Sequence, residues 1–218
     1  MRTERMVALF GLLAGLLALA MATISFSNGV SQEYFETLHP VKEYAEKLKS
    51  QAATLRVLFT LDNFFLLAYT GFFLWYAVER QNKAHHWLLA TMLVFLFLVS
   101  LLDAAENFHI LAMLQTVELN QLPSDGQISL QYILSAVKFM VAYFAVIILG
   151  ITYPRDTALA RLIGISTAIG FPLLGVLSFT VPPPWSLVCG IGRSLFFVLG
   201  FLLSAVVYWN RGTHENHD

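Results

Sequence analysis

Arg56 and Arg161 at the ends of such runs aside, five charged side chains fall well inside stretches otherwise built from leucine, phenylalanine, valine and alanine: Asp62, Asp103, Glu106, Lys138 and Arg193. The acids can take up or release a proton, and a lysine or arginine beside them can neutralise them or hold an anion. Asp103, Glu106 and Asn107 are related by i+3 and i+4, so on a helix they project from one face. Asp62 and Tyr69 share a face in the same way, as do Ser135 with Lys138 and Cys189 with Arg193. Three acids confront two bases, so pairing neutralises most of the charge. One carboxyl is then expected to stay protonated, because two close carboxylates do not both ionise cheaply.

The elements that must position these groups follow from composition. The chain has 218 residues, of which 57% are hydrophobic and 12% charged, whereas a soluble domain carries roughly a quarter charged. A soluble domain of this size cannot bury so much apolar surface, so the lipid bilayer must solvate much of it. A net charge of −1 offers no basic face for nucleic acid. The single cysteine, Cys189, excludes an intrachain disulfide, a CxxC redox pair and a thiolate zinc site.

Six stretches are long and apolar enough to cross a core of about 30 Å: Val7–Phe26, Leu55–Val78, Trp87–Leu114, Leu130–Tyr153, Leu159–Val181 and Trp185–Trp209. They lack the period-2 alternation of a membrane β-barrel. The expected fold is therefore all-α: a polytopic transmembrane helix bundle forming one domain over residues 1–218. Arg2 and Arg5 precede the first run, which contains Ala18-Leu19-Ala20 and so has some features of a cleaved signal peptide. Signal-peptide cores run only about 7–15 residues, and this longer run reads as a retained anchor. Arg2, Arg5, Arg80, Lys83, Arg155, Arg161 and Arg211 fall on one side of the six spans, which places both termini in the cytoplasm of a multi-pass cell-membrane protein. The two later outer loops, around Gln115–Gln127 and Pro182–Pro184, carry no lysine or arginine. The first outer loop is the exception, but there Glu33, Glu36, Glu43 and Glu46 lie beside Lys42, Lys47, Lys49 and Arg56.

That first loop has a pattern of its own. Val41, Tyr44, Leu48 and Leu55 recur at helical spacing, Glu43 and Lys47 form an i,i+4 pair, and Pro40 suits a helix start. The spacing predicts an amphipathic helix on the outer surface running into the second span, as a cap over the bundle or a lid over a site. In the fifth span Gly164, Ser166, Thr167 and Gly170 allow close helix approach, and Pro172 should kink it. Pro182-Pro183-Pro184 makes a stiff turn before Trp185, an interfacial anchor.

Depth unites the five charges. With the alternation above, all lie about 10–17 Å from the outer ends of their helices, at 1.5 Å per residue. Each costs roughly 2.5–3.5 kcal/mol if left facing lipid near a helix centre. Four different helices thus bring charge to one layer. Weaker candidates surround this layer. His109 with Glu106 or Asp103 has metal-ligand chemistry, but no second histidine lies in a span and HExxH is absent. His85-His86 read as interfacial, and the tail His214-Glu215-Asn216-His217-Asp218 as solvated. No phosphate-binding glycine loop or GxSxG elbow occurs, and nothing designates a cofactor.

The stretch Leu61-Asp62-Asn63-Phe64-Phe65-Leu66-Leu67-Ala68-Tyr69, with Asp103-Ala104-Ala105-Glu106-Asn107 and Lys138, resembles a family of uncharacterised bacterial six-span membrane proteins. Members resemble this chain in an amphipathic outer segment, an Asp-x-x-Phe-Pro-x-x-Tyr helix and an Asp-x-x-Glu-Asn helix. The likeness covers roughly the first two-thirds of the chain. Leu66 stands where the family has proline, which removes the basis for a kink there. The resemblance implies a six-span fold and no activity.

Three functions fit these residues. Asp62, Tyr69, Asp103, Glu106, Asn107, Lys138 and Arg193 could bind or pass a small polar solute or lipid headgroup. Asp103 or Glu106 could act as general base of an intramembrane enzyme, with Lys138 or Arg193 stabilising an anion. The ions could instead be purely structural, holding the helices of an assembly or scaffold protein in register.

Overall fold

The computed structural model describes residues 3–182 and 184–214; Arg2, Pro183 and the tail 215–218 lie outside the described residues. Among the described residues every regular element is helical. The elements are α1 (Thr3–Asn28), α2 (Gln32–Phe35), α3 (Val41–Ser50), α4 (Ala52–Arg80), α5 (His86–Glu118), α6 (Asp125–Thr152), α7 (Ala158–Ile165), a π turn (Ser166–Gly170), α8 (Phe171–Thr180) and α9 (Trp185–His214). Six helical stretches are long and apolar enough to cross a membrane, and each contains almost the whole of a stretch read from hydropathy. The observed helices overrun most of those stretches by a few residues, because capping and loop geometry rather than apolarity end them. The start of α6 illustrates this: Ser124 and Gln127 form a reciprocal capping box, and the helix begins at Asp125, five residues before the apolar run.

The spans close into a ring in chain order. α1 packs on α4 and α9, α4 on α5, α5 on α6, α6 on α7 and the π turn, and α8 on α9. Small residues let α1 sit tightly in its place: a Cβ on Gly15 would run into the Leu202 side chain, and one on Gly11 would come within 3.3 Å of the Phe201 carbonyl. The start of α1 and the end of α9 meet on one face of the bundle, where Gly212 lies against Glu4 and Arg5. We call this the terminal end and the opposite one the loop end.

Aromatic side chains fill the interior. Phe65, Phe72, Phe197 and Phe201 meet mostly edge to face, and toward the terminal end Tyr76, Tyr153 and Tyr208 form a second group. Their hydroxyls are matched: Tyr76 meets Thr152 Oγ1 at 2.9 Å, and Tyr153 donates to Ser204 Oγ at 2.9 Å. Large apolar residues such as Leu67, Phe97, Phe108 and Ile169 face outward, as lipid solvation requires.

The fifth span is interrupted, as Pro172 predicts, and the form of the interruption is a π turn over Ser166–Gly170. Proline cannot donate to the carbonyl one turn earlier and would collide with it, and the wider turn relieves both. The same stretch crosses α6 so closely that a Cβ on Gly150 would meet the Ala168 amide at 2.5 Å.

The outer segment is helical over Val41–Ser50, with Tyr44 and Leu48 fully buried. It does not run into the second span as one helix. The chain breaks at Gln51, whose φ of −110° and ψ of 9° leave the helical region, and α4 restarts at Ala52. The break lets α3 lie across α5 and α4 rather than extend away from them. Lys49 Nζ fastens it by donating to Asn120 Oδ1 at 3.0 Å.

Candidate functional site

Lys138 on α6 is the hub of a buried ionic cluster. Its ammonium lies 2.6 Å from Glu106 Oε2 and 3.1 Å from Asp103 Oδ1, both on α5. The i+3 spacing of the two acids is what lets one lysine reach both. Glu106 is 2% exposed. Its other oxygen accepts from Ser135 Oγ at 2.8 Å, one turn before Lys138 on the same helix. Asp103 Oδ2 accepts from the Tyr69 hydroxyl at 3.1 Å, which ties α4 to α5. Asn107 donates to Asp62 Oδ2 at 2.8 Å, a second link between those helices. Asp62 makes no ion pair within 4 Å among the described residues, yet it lies within electrostatic reach of Asp103, Lys138 and Glu106.

Arg193 departs from the expected arrangement. It reaches the same layer but pairs with none of Asp62, Asp103 and Glu106. Its Nη2 lies 2.5 Å from Glu33 Oε1, on the short helix α2. The guanidinium is stacked on Phe139, 4.5 Å from the ring centroid, and the Lys138 ammonium lies 4.9 Å from the same centroid. One aromatic ring therefore stands beside both cations of the site, contributing a cation–π attraction to each. The Tyr143 hydroxyl and Arg193 Nη1 are buried without a well-formed hydrogen bond, as is Gln131 Oε1 beside Ser135.

Glu33 and Glu36 are the site residues that sequence reasoning missed. They read as loop acids balancing loop lysines. In the structure α2 dips into the loop end of the bundle, held by the Tyr44 hydroxyl donating to the Phe35 carbonyl at 3.0 Å. Glu36 Oε1 comes to 3.9 Å from Lys138 Nζ. Burial pushes its carboxyl up to about 8; Lys138 partly opposes this rise and the neighbouring Glu106 reinforces it. The available signal was the pair of acids three apart flanking Tyr34-Phe35, a helical repeat too short to register as an element.

The remaining candidates have local roles. His109 meets the Gln127 carbonyl at 2.9 Å, fastening α5 to the start of α6. Among the described residues, no group of three or more His, Cys, Asp or Glu is placed to hold a metal ion. Cys189 is partly exposed and unbonded. Arg56 pairs with Glu118 at 2.6 Å on the exposed rim. In chemical terms, the site collects five carboxyl groups (Glu33, Glu36, Asp62, Asp103 and Glu106) around two cations (Lys138 and Arg193). Compared with protein-family models, curated proteins and solved structures, the chain matches none.

Proposed function

We propose that this chain is a multi-pass membrane protein, with both termini cytoplasmic, that binds or transports a small cationic solute at its loop end in exchange for protons. The observation that carries this reading is the surplus of acid: three more carboxyl groups than cations gather in one layer, and all of the acids but Glu33 are buried or partly buried. So many carboxylates cannot all be ionised together at low cost. The surplus is neutralised either by protons or by a positively charged ligand, and the two compete for the same oxygens. Amine cations suit the site better than metal ions, since the carboxylates do not converge into a ligand set. The buried Gln131 Oε1, which has no hydrogen bond, adds capacity for a polar ligand. Access is nearest at Glu33, 48% exposed at its side chain, which stands between solvent and Arg193.

A structural reading draws support from a different observation: Lys138 is engaged by Glu106 and Asp103 at short range, as in an ion network that only fixes α5 against α6. The enzymatic reading is weaker, because both candidate bases are already committed to Lys138. Binding of ethanolamine, choline and putrescine to the purified protein at pH 6 and pH 8 distinguishes the first two. The proposal expects amine binding that strengthens at pH 8 and is lost in Asp62→Asn. Equal affinity at both pH values would remove the exchange with protons, and no binding by any of the three favours the structural network.

A further inference from the structure

The terminal end of the bundle carries a second polar region, unconnected with the cluster around Lys138. Two adjoining cavities of about 670 Å³ and 340 Å³ open there and share Arg80 and Lys83 as walls. The larger one contains acids as well as bases: Glu4 and Asp156 are among its walls, and Asp156 pairs with Arg211. The smaller one is lined by Arg80, Lys83, His85 and Arg155 and by no acid, and its other walls include the apolar Leu88 and Ile151.

Not all of these cations are committed elsewhere. Lys83 is matched by Glu79 at 2.7 Å, and Arg211 by Asp156 at 2.5 Å. Arg80 lies at the limit of reach from Glu79, 4.0 Å, and its Nε is buried without a hydrogen bond. Arg155 makes no ion pair among the described residues. The smaller cavity also abuts the start of α5, at Ala84, His85 and Leu88. Two under-used guanidinium groups favour a compact oxyanion.

We propose that the smaller cavity binds the phosphate of an anionic phospholipid headgroup, with Arg80 and Arg155 as its principal donors. The phosphate chemistry alone would also accept free inorganic phosphate. The lipid source is favoured by Ile151, which is half exposed on the outward face of α6 and would border the acyl chains below the headgroup. The site lies at the opposite end of the bundle from the carboxylate cluster and does not depend on what that cluster does.

Reconstitution into nanodiscs tests this. Discs of phosphatidylcholine alone, of phosphatidylcholine with phosphatidylglycerol, and of phosphatidylcholine with added inorganic phosphate are compared by lipid retention in native mass spectrometry and by the thermal unfolding midpoint. Phosphatidylglycerol should be retained preferentially and raise the midpoint, and inorganic phosphate should do neither. Arg155→Gln should weaken retention about tenfold, the loss expected for one charge-assisted hydrogen bond to phosphate. Lys42→Gln, an exposed lysine at the loop end, should change nothing. Arg80→Gln provides a second reading, and because Arg155 is not part of the packed interior its substitution keeps the test valid if Arg80→Gln folds poorly. Retention unchanged by Arg155→Gln would overturn the site. A midpoint raised equally by inorganic phosphate would overturn its assignment to lipid.

Discussion

Arg193 and Glu33, separated by 160 positions in the chain, meet at 2.5 Å and join the last span to the segment that follows the first. Arg193 is 8% exposed at its side chain and Glu33 is half exposed, so the carboxylate acts as the solvent-side cover of a buried cation. Glu33→Gln should leave the guanidinium buried without its counter-charge. The expected loss is about 1–2 kcal/mol, below the range for a fully buried pair because Glu33 is partly screened. Faster amide hydrogen exchange over Gln32–Phe35, with little change at α3, is the measurement that checks it.

The cluster around Lys138 should behave as a unit. Lys138→Met leaves Glu106 and Asp103 without their common partner and should cost roughly 3–5 kcal/mol. Adding Glu106→Gln should recover part of that loss, so the double variant costs less than the sum of the singles. Unfolding measurements on the four members of this cycle decide the matter. Strict additivity would mean that the contact at 2.6 Å contributes no coupling.

Glu36 gives the protein a dependence on pH. Its carboxyl is raised from an ordinary value of 4.5 to about 8, so between these values the folded protein holds a proton that the unfolded chain has released. Stability from this group is complete below pH 4.5 and disappears as pH rises through 8. Thermal midpoints should therefore fall between pH 5 and pH 8, and Glu36→Gln should flatten that slope. A slope unchanged by the substitution would assign the proton elsewhere.

Two glycines in spans make opposite predictions. At Gly150 an added methyl would meet the backbone of Ala168, and Gly150→Ala should cost about 1–3 kcal/mol through overpacking. At Gly200 nothing lies within 4 Å of the added carbon, and Gly200→Ala should be neutral or stabilise α9 by up to about 1 kcal/mol. Unfolding of the two variants side by side separates close packing from simple helix propensity.

Orientation is open to direct test. A cysteine replacing Gln121, an exposed residue of the α5–α6 loop, in a Cys189→Ser background should react with a membrane-impermeant maleimide in intact cells. Labelling only after permeabilisation would invert the topology.

The spans were legible because each is a long apolar run, and the shared face of Asp103, Glu106 and Asn107 because helical periodicity fixes azimuth within one helix. What periodicity does not fix is the rotation of one helix relative to another. Arg193 could be assigned a depth but not a neighbour, and it turns toward Glu33 rather than the α5 acids. Phe139, which touches both cations, is one of eighteen phenylalanines and carries no mark in the sequence. Glu33 and Glu36 were hidden for a different reason. Their place beside Arg193 and Lys138 depends on α2 folding inward, a tertiary event that four residues cannot encode by themselves.

The seam between α1 and α9 bears on biogenesis. α1 leaves the ribosome well before α9, so the glycine surface that α1 turns toward α9 must wait in the membrane until α9 has been made. Until then that surface is available to any other helix with a matching groove. A polypeptide halted before α9 would present it permanently, together with Glu33 deprived of its arginine. Chains halted before α9 are therefore the species most open to mispairing, and synthesis of α9 is the step that closes this surface.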